Sequence, residues 1–346
     1  MKKKRVTMKD VAQALGVHHT TVSLALRNHA SLPPKTRELV KLKAKELGYV
    51  PDPMLSALVS YRRTTKESKA PPTIAYILDL KDEKELKKFQ CRWLFFINAV
   101  ERAKELGYKL EVFYYGSGNY NSRTLDRIFR TRQITGIIIA AFTHKTDLKL
   151  TWDNYSAVKI EALPTNLTFD MVENNQMQVA QLAMQKMHEK GYKRVGMFVG
   201  EHDELHTRNL FSAGYLVSQN LFAPEDRVPL KVIKGINLEH ELDDIIDWLD
   251  TYKVETLITN WNELIPYIDL IKEKLGRDFL FVSLDIDHFN SEIMGIRQNH
   301  EMVGKNAVDS ITTLMRTNKR GEQEHPTTHL VDSCWQEAPT LKAISF

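Results

Sequence analysis

The sequence predicts a small all-α domain at the N-terminus, followed by a larger α/β core with two parallel-sheet subdomains. Residues 6–53 read as three short helices, with a glycine turn between the first two. From residue 73 onward, short apolar strands alternate with amphipathic helices, which is typical of parallel sheets covered by helices. Because that region holds about 270 residues, more than one layered domain usually contains, we expect two subdomains.

The charge of the chain divides at the same place. Residues 1–66 hold 14 Lys and Arg against 4 Asp and Glu, whereas the other 280 residues hold 34 against 40. The formal net charge of +4 therefore conceals a strongly basic N-terminal domain on a mildly acidic core. Only the N-terminal domain is expected to be attracted to phosphate groups.

A first helix is predicted over residues 8–15. Thr7 followed by Asp10 resembles a capping box, in which a hydroxyl and a carboxylate satisfy free amide groups at a helix start. Gly16 provides the permissive backbone that a sharp turn requires, and Val17 provides an apolar plug between two helices. This pattern predicts the first half of a helix-turn-helix unit.

A second helix is predicted to begin near His18 or His19, with Val22, Ala25 and Leu26 facing inward. Its outward face carries mainly short polar groups, which suit contact with base edges in the major groove of DNA. These outward residues are His19, Thr20, Ser23, Leu24 and Arg27.

Pro33 and Pro34 are well placed to open a third helix, since a proline at the first helical position loses no intrahelical hydrogen bond. We expect apolar residues from this helix and its end to complete the core of the domain. They are Leu39, Val40, Ala44 and Leu47.

The N-terminal residues resemble the lactose/galactose repressor (LacI/GalR) family of bacterial transcription regulators. The matching elements are Thr7-x-x-Asp10-Val11-Ala12, Gly16-Val17, Thr20-Thr21-Val22-Ser23, Lys35-Thr36-Arg37 and Leu47-Gly48-Tyr49-x-Pro51. The resemblance implies that His19, Thr20 and Leu24 read bases. It also implies that four residues hold phosphates or the helix frame, namely Thr7, Thr21, Ser23 and Lys35.

Leu24 departs from the pattern of many relatives, which carry a polar residue such as arginine there. A leucine cannot make the bidentate contact to guanine that arginine makes, so it favours an apolar contact, such as one with a thymine methyl group. The three helices would also fit a bundle that binds no nucleic acid. The charge division and the helix-turn-helix pattern favour the DNA-binding interpretation.

Residues 51–60 are compatible with a helix but too few to form a stable one alone in water. In the resembling family this segment is a hinge helix that folds on DNA, and the resemblance places Leu58 where a leucine enters the minor groove and kinks the duplex. Alternatively, Leu58 packs on the protein core. Residues 61–72 are polar and proline-bounded, which indicates a linker.

The region from residue 73 onward is predicted to alternate strands and helices. Strands are expected at residues 74–78, 110–115, 136–141, 194–199, 232–233, 256–259 and 279–284. Helices are expected at residues 95–106, 175–190, about 209–221, 239–252 and 301–316.

The resemblance implies that this core is periplasmic-binding-protein-like, with three chain crossings between two subdomains. It places the crossings near residues 163–166, 294–299 and 323–328. The N-subdomain would then hold residues 73–165 and 298–325, and the C-subdomain residues 166–297 and 326–346. A small-molecule effector, of the size of a sugar, would lie in the cleft between them.

Candidate effector-binding residues are those placed at strand ends or helix starts, where sugar clefts find fixed hydrogen-bonding groups and aromatic platforms. They are Asp79, Trp93, Arg208, Phe211, Asn260, Trp261, Asp285 and Gln298. Each could instead be structural, as buried aromatic residues and capped acids in α/β cores often are.

Two positions depart from the pattern of the resembling family. Relatives usually carry an arginine three residues before the glycine that matches Gly214, where this chain has Phe211. Trp261 stands where an acidic residue is common. These changes leave open a more aromatic pocket, a different ligand, or the loss of an effector response.

Other chemistry is weakly supported. His202 and His206 are spaced to share a metal ion on a helix, but the segment lacks the glutamate of a zinc protease and is expected to be a loop with solvated histidines. The cluster Asp285-x-Asp287-His288 is accompanied by no nucleophile or phosphate loop. We therefore expect no enzyme activity, no cofactor and no metal.

The expected protein is a cytoplasmic, homodimeric transcription regulator, most simply a repressor, that binds a near-palindromic DNA operator under control of a sugar or sugar-derived effector. No stretch is long and apolar enough for a membrane span, and Cys91 and Cys334 are far apart, as expected of reduced thiols. The alternative is a solute-binding protein without a gene-regulatory role, which would leave the N-terminal domain unexplained. An enzyme with an appended DNA-binding domain ranks third.

Overall fold

A computed structural model describes residues 6–26, 31–49, 71–140, 142, 148–162, 167–235, 237–286 and 293–337. The N-terminal domain contains α1 (Met8–Leu15), α2 (His19–Leu26) and α3 (Pro34–Glu46). All three helices are where the sequence predicts them. Within the described ranges, no helix is both long and apolar enough to cross a membrane.

The start and end of α1 follow from its sequence. The capping box forms, since the Thr7 backbone amide lies 2.7 Å from an Asp10 carboxylate oxygen and the Asp10 amide lies 3.4 Å from the Thr7 hydroxyl. Gly16 ends the helix with φ of 63°, a left-handed conformation that glycine adopts at little cost. The helix is thus bounded by local chemistry.

A small apolar core joins the three helices. Its buried members are Val11, Ala12, Val22, Ala25, Val40 and Ala44, and Leu47 packs against them. The prediction that Leu39 belongs to this core is wrong, because its side chain is 57% exposed. Val40 and Ala44 share one face of α3, as residues four apart do, and Leu39 lies off that face.

The rest of the chain forms two lobes, each with one six-stranded sheet. The strands are β1 (Thr73–Leu78), β2 (Lys109–Tyr114), β3 (Gly136–Ala140), β4 (Ser156–Ile160), β5 (Asp170–Asn174), β6 (Val195–Gly200), β7 (Lys231–Ile233), β8 (Thr256–Thr259), β9 (Leu280–Ser283), β10 (Gly295–Arg297), β11 (Thr328–Val331) and β12 (Cys334–Gln336). The helices are α4 (Glu83–Leu86), α5 (Gln90–Glu105), α6 (Ser122–Thr131), α7 (Gln176–Glu189), α8 (Glu201–Thr207), α9 (Leu210–Ser218), α10 (Leu238–Thr251), α11 (Ile268–Leu275) and α12 (His300–Thr317).

The sheet of the first lobe has the order β11-β5-β4-β3-β1-β2, and that of the second lobe has the order β12-β10-β9-β8-β6-β7. All neighbouring pairs are parallel except β10 with β12. Each sheet has an apolar core on both faces, as expected for parallel sheets. The predicted α/β architecture of two parallel-sheet subdomains is therefore present.

Helix α12 belongs to the first lobe although it follows β10 of the second. It packs closely on α5, because a Cβ atom added to Gly304 would lie only 2.2 Å from the Phe95 carbonyl oxygen. Val303, Ala307 and Ile311 of α12 join the buried core of the first lobe. The contact therefore requires a residue without a side chain at position 304.

The chain crosses between the lobes after β5, after β10 and after β11. The predicted crossings near 163–166 and 323–328 are wrong, because β5 pairs with β4 and β11 inside the first sheet. The first lobe therefore extends to Asn174 and includes β11. The second crossing lies at residues 298–299, within the predicted region.

Hydrogen bonds tie the three crossings to one another. The Asn175 side chain donates to the Asp332 carboxylate at 2.8 Å, and the Asn299 side chain donates to the Asp332 carbonyl at 2.6 Å. Asn175, Asn299 and Asp332 come from the first, second and third crossing, respectively. The segments that connect the lobes thus form one bonded unit.

Candidate nucleic-acid interface and interlobe cleft

The outward face of α2 is accessible along the predicted reading surface. His19 and Thr20 are exposed, and Ser23 and Leu24 are half-buried, while Val22 and Ala25 face the core. The Thr20 hydroxyl lies 2.9 Å from Nδ1 of His18, whose ring is 4.3 Å from that of His19. Short polar groups therefore stand at the beginning of the helix, where a reading helix meets base edges.

The residues expected to hold phosphates surround this helix. Thr7 is exposed at the start of α1, with its hydroxyl donating to the Asp10 carboxylate at 2.7 Å. Thr21 is half-buried in the first turn of α2, and Lys35 is exposed in the first turn of α3. Arg27, Leu58 and the expected hinge helix at residues 51–60 lie outside the described residues.

A small cavity of about 50 Å³ lies between the two lobes. It is lined by Gln90, Cys91 and Leu94 of α5, by Asn262, Asp285 and Ile286 of the second lobe, and by Gln298 and His300 at the second crossing. Ligand sites commonly measure about 300 Å³ or more. This cavity would therefore have to enlarge to hold a sugar-sized ligand.

His300 sits at the centre of the polar lining. Its Nε2 lies 2.9 Å from an Asp285 carboxylate oxygen, and its Nδ1 lies 2.7 Å from the Asn174 side-chain amide. Burial by itself lowers the pKa of His300, but the Asp285 carboxylate outweighs it, so the pKa lies above its ordinary value. The imidazole therefore links the end of β5 in the first lobe to the end of β9 in the second.

Amides extend this network. The Gln176 side chain donates to Gln298 at 3.1 Å, and Gln298 donates to the Leu284 carbonyl at 2.9 Å. Asn262 donates to the Asp285 carbonyl at 2.7 Å and accepts from Ser283 at 2.7 Å. Asp285 and Gln298 are the two sequence-predicted residues that line the cavity.

A second contact between the lobes involves Arg208. Its guanidinium pairs with the carboxylate of Glu173 on β5, which is buried. Burial raises the pKa of Glu173, and Arg208 partly opposes that rise. Arg208 and Asn209 have φ of 57° and 59°, a left-handed conformation that costs energy for residues other than glycine.

The other predicted effector residues are distributed differently. Asp79 directly follows β1 at its carboxyl end, and Asn260 directly follows β8. The Trp261 indole donates to Asp203 at 2.6 Å and packs over Gly200, so it covers α8. Of the eight predicted effector-binding residues, Asp285 and Gln298 therefore lie together at the cavity, and these three lie outside its lining.

Phe211 and Trp93 lie away from the cavity lining. Phe211 is 2% exposed and belongs to the apolar core of the second lobe. The Trp93 ring packs on Phe96, with centroids 5.8 Å apart, and the Lys87 ammonium lies 4.7 Å from its centre. Both side chains therefore pack against other residues of their own lobe.

Arg92 is a cleft residue that the sequence analysis missed. Its side chain is buried, with only 8% exposed, and its guanidinium lies 4.6 Å over the ring of Phe89. Its Nη1 has no hydrogen-bond partner within the described residues. Glu161, which follows β4 with φ of 62°, lies within its electrostatic field. Arg92 precedes the helix start predicted at residue 95, and no sequence pattern marked Arg92 or Glu161 as functional.

The predicted loop around His202 and His206 is wrong, because these residues form helix α8. Their rings lie 4.6 Å apart. The described ranges contain no group of three or more metal-binding side chains, and Asp287 and His288 fall outside those ranges.

Residues 7–52 match the family model described as "Bacterial regulatory proteins, lacI family". The chain is 25% identical over 204 residues to the HTH-type transcriptional repressor CytR of Escherichia coli (strain K12). This match covers 57% of the chain and 54% of CytR, so it spans about half the length of that relative. The chain is also 41% identical over 64 residues to the HTH-type transcriptional regulator CelR of Thermobifida fusca, which covers 18% of this chain and 19% of CelR.

Solved structures share the fold over nearly the whole chain. A transcriptional regulator CelR–cellobiose complex has a TM-score of 0.56 at 17% identity and covers 96% of this chain and 99% of that one. The lac repressor dimer bound to operator and the anti-inducer ONPF has a TM-score of 0.55 at 16% identity and covers 97% and 98%. Residues 7–52 are thus similar in sequence to the lacI family of bacterial regulatory proteins, and the two lobes that follow share the fold of these two solved structures.

Proposed function

We propose that this protein is a sequence-specific transcription regulator, most simply a repressor, that binds a near-palindromic operator as a homodimer. The observation that carries the proposal is the accessible reading face of α2 on a basic domain that matches the lacI family. One such domain offers too few base contacts for genomic selectivity, so two copies are needed. A regulator that binds chromosomal DNA would act in the cytoplasm.

An apolar stripe on α5 supports dimerisation. Ile97 and Val100 are 36% and 37% exposed, and their spacing places them on one side of the helix, while Phe89, directly before the helix, is 39% exposed. Trp93 stands on the same side, one turn from Phe89 and one turn from Ile97. A second copy of the chain would cover these side chains, which is the usual reason for a contiguous exposed apolar surface.

The interlobe cleft would take a small-molecule effector, a sugar or a sugar-derived compound. Its support is the polar lining from both lobes and the three bonded crossings, through which opening or closing of the cleft would move the lobes as bodies. CelR was solved with cellobiose in a structure of the same fold. Ligand binding shifts the lobes only toward the state that it binds better.

Selection of bound sequences from random duplex DNA, with the purified full chain, tests the regulatory function. The expected result is a motif with two inverted half-sites. Adding candidate sugars to the protein and the selected DNA should then change the affinity. A chain that selects no sequence, with or without sugars, would instead favour a solute-binding protein without a role in gene regulation.

A further inference from the structure

We propose that the effector of this protein carries an anionic group, a carboxylate or a phosphate, and that Arg92 binds that group. The proposal deepens the proposed function and rests on the interlobe cleft being the effector site. It concerns the class of ligand that the cleft recognises.

Arg92 is a buried cation without a carboxylate partner within hydrogen-bond distance among the described residues. A guanidinium has five N–H donors, and buried polar groups nearly always form hydrogen bonds because an unpaired one is costly. Arg92 is 8% exposed, its Nη1 is buried without a hydrogen-bond partner in the described residues, and its guanidinium lies 4.6 Å from the centre of the Phe89 ring. In the described part of the chain, the fold thus holds a desolvated guanidinium that no carboxylate neutralises directly.

Three acidic groups between the lobes are already engaged with other partners. Asp285 bonds to His300 at 2.9 Å, and Glu173 pairs with Arg208. A third acid, Asp203, accepts a hydrogen bond from the indole of Trp261 at 2.6 Å. The charged contacts that remain for Arg92 must therefore come from outside this set.

Glu161 is a carboxyl group whose pKa responds to the charge of Arg92. Burial raises the pKa of Glu161, while Arg92 opposes that rise. A carboxyl that is pushed toward its neutral form compensates a neighbouring cation only partly. A ligand anion beside Arg92 would complete the compensation of its charge.

The position of Arg92 fits a ligand that touches both lobes. It lies in the first turn of α5 in the first lobe, and its charge acts on the pKa of His206 in the second lobe. His206 Nε2 and Asn260 Oδ1, both from the second lobe, are buried without a hydrogen-bond partner in the described residues. These atoms can accept hydrogen bonds from hydroxyl groups, so a polyhydroxylated compound with one anionic group matches the set.

Isothermal titration calorimetry of the full-length protein with ligands of matched carbon skeleton tests the proposal. For each of several hexoses, the neutral sugar, its uronate and its 6-phosphate are compared. At least one anionic member is expected to bind tenfold or more tightly than its neutral parent. The uronate and phosphate arms show which anion the site takes.

Arg92→Gln removes the charge with little change of volume, and Arg102→Gln is its matched control. Arg102 lies on the same helix, where it pairs with Glu105 and Asp309 on the surface. Arg92→Gln should weaken binding of the anionic ligand by roughly 10-fold to 100-fold, as expected for the loss of charge-assisted hydrogen bonds. Arg102→Gln should leave it unchanged.

Several results would overturn the proposal. These are equal affinity of wild-type protein for neutral and anionic members, binding of neither anionic class, or undiminished anion binding by Arg92→Gln. If Arg92→Gln does not fold, the wild-type comparison still decides the matter. Calorimetry needs no DNA, so a failure here is distinct from a failure to select an operator.

Discussion

The N-terminal domain and the interlobe cleft differ in how their functional residues are brought together. The reading face of α2 comes from one short helix whose bounds follow from neighbouring residues, such as the Thr7 and Asp10 capping box. The cleft instead joins residues as distant along the chain as Gln90 and His300. Local chemistry therefore specifies the DNA-binding surface, whereas only the complete packing of both lobes specifies the effector site.

The largest expected effect tests whether the two regions are structurally independent. Gly304→Leu should destabilise the lobes by about 3 kcal/mol, because the added side chain must displace the Phe95 backbone. Urea denaturation followed by circular dichroism measures this loss. Lys305→Leu is the control, since Lys305 lies next to it on the helix and is partly exposed.

Hydrogen exchange of the α1 to α3 amides completes that experiment. Protection of these amides should be the same in Gly304→Leu and in wild type at low urea concentration. A parallel loss of protection in the N-terminal domain would show that its folding depends on the lobes, and the contrast drawn above would then not hold.

A second prediction concerns the ion pair between the lobes. Arg208→Gln should cost about 2 kcal/mol, because it leaves the buried Glu173 carboxylate alone. Glu173→Gln should cost less, because Arg208 is half exposed and can be hydrated. Urea denaturation of both variants and of the double variant measures this asymmetry, and equal costs would contradict it.

Leu24→Arg should change sequence preference without changing stability. An arginine at this half-buried position on α2 can make a bidentate contact to guanine, worth about 1–3 kcal/mol in discrimination between bases. Selection from random DNA should therefore show a new guanine in each half-site. Leu24→Met is the control, and an unchanged motif in Leu24→Arg would place the reading face elsewhere.

The smallest effect is a pH dependence of the lobes. The pKa of His300 is raised overall, because Asp285 outweighs the effect of burial. Its protonated form therefore stabilises the folded state fully below the pKa of an unfolded histidine, about 6.5. That stability is lost as the pH rises through the folded pKa.

The free energy of unfolding should consequently fall between pH 6 and pH 8, and His300→Gln should reduce that fall. Urea denaturation at each pH provides the measurement. An identical pH profile in His300→Gln would assign the dependence to other groups.

The sequence was sufficient for most of the helices and central strands, because caps and apolar runs are local signals. Strand β5 was missed, since its sequence carries Asp170, Glu173 and Asn174 and lacks an apolar run. That omission moved the predicted first crossing to residues 163–166. Helix α8 was missed for the same reason, because five of its seven residues are acidic or histidine.

The cleft was predicted less well than the fold. Asp285 and Gln298 were found because they follow strands at the carboxyl edge of a sheet. Arg92 and His300 lie in the first turns of α5 and α12, just before the helix starts predicted at residues 95 and 301, so no pattern marked them. Phe211 was assigned to the ligand from its position relative to Gly214, but its depth in the core could only be learned from packing.

The bonds among Asn175, Asn299 and Asp332 have a mechanical consequence. Three crossing segments that are bonded to one another cannot easily slide past one another or separate. The lobes can then move mainly by rotation about the axis of these segments. Any two compounds that occupy the cleft would then differ in the angle at which they arrest this rotation. Effectors that change DNA affinity fully and those that change it partly would then differ only in the angle between the lobes.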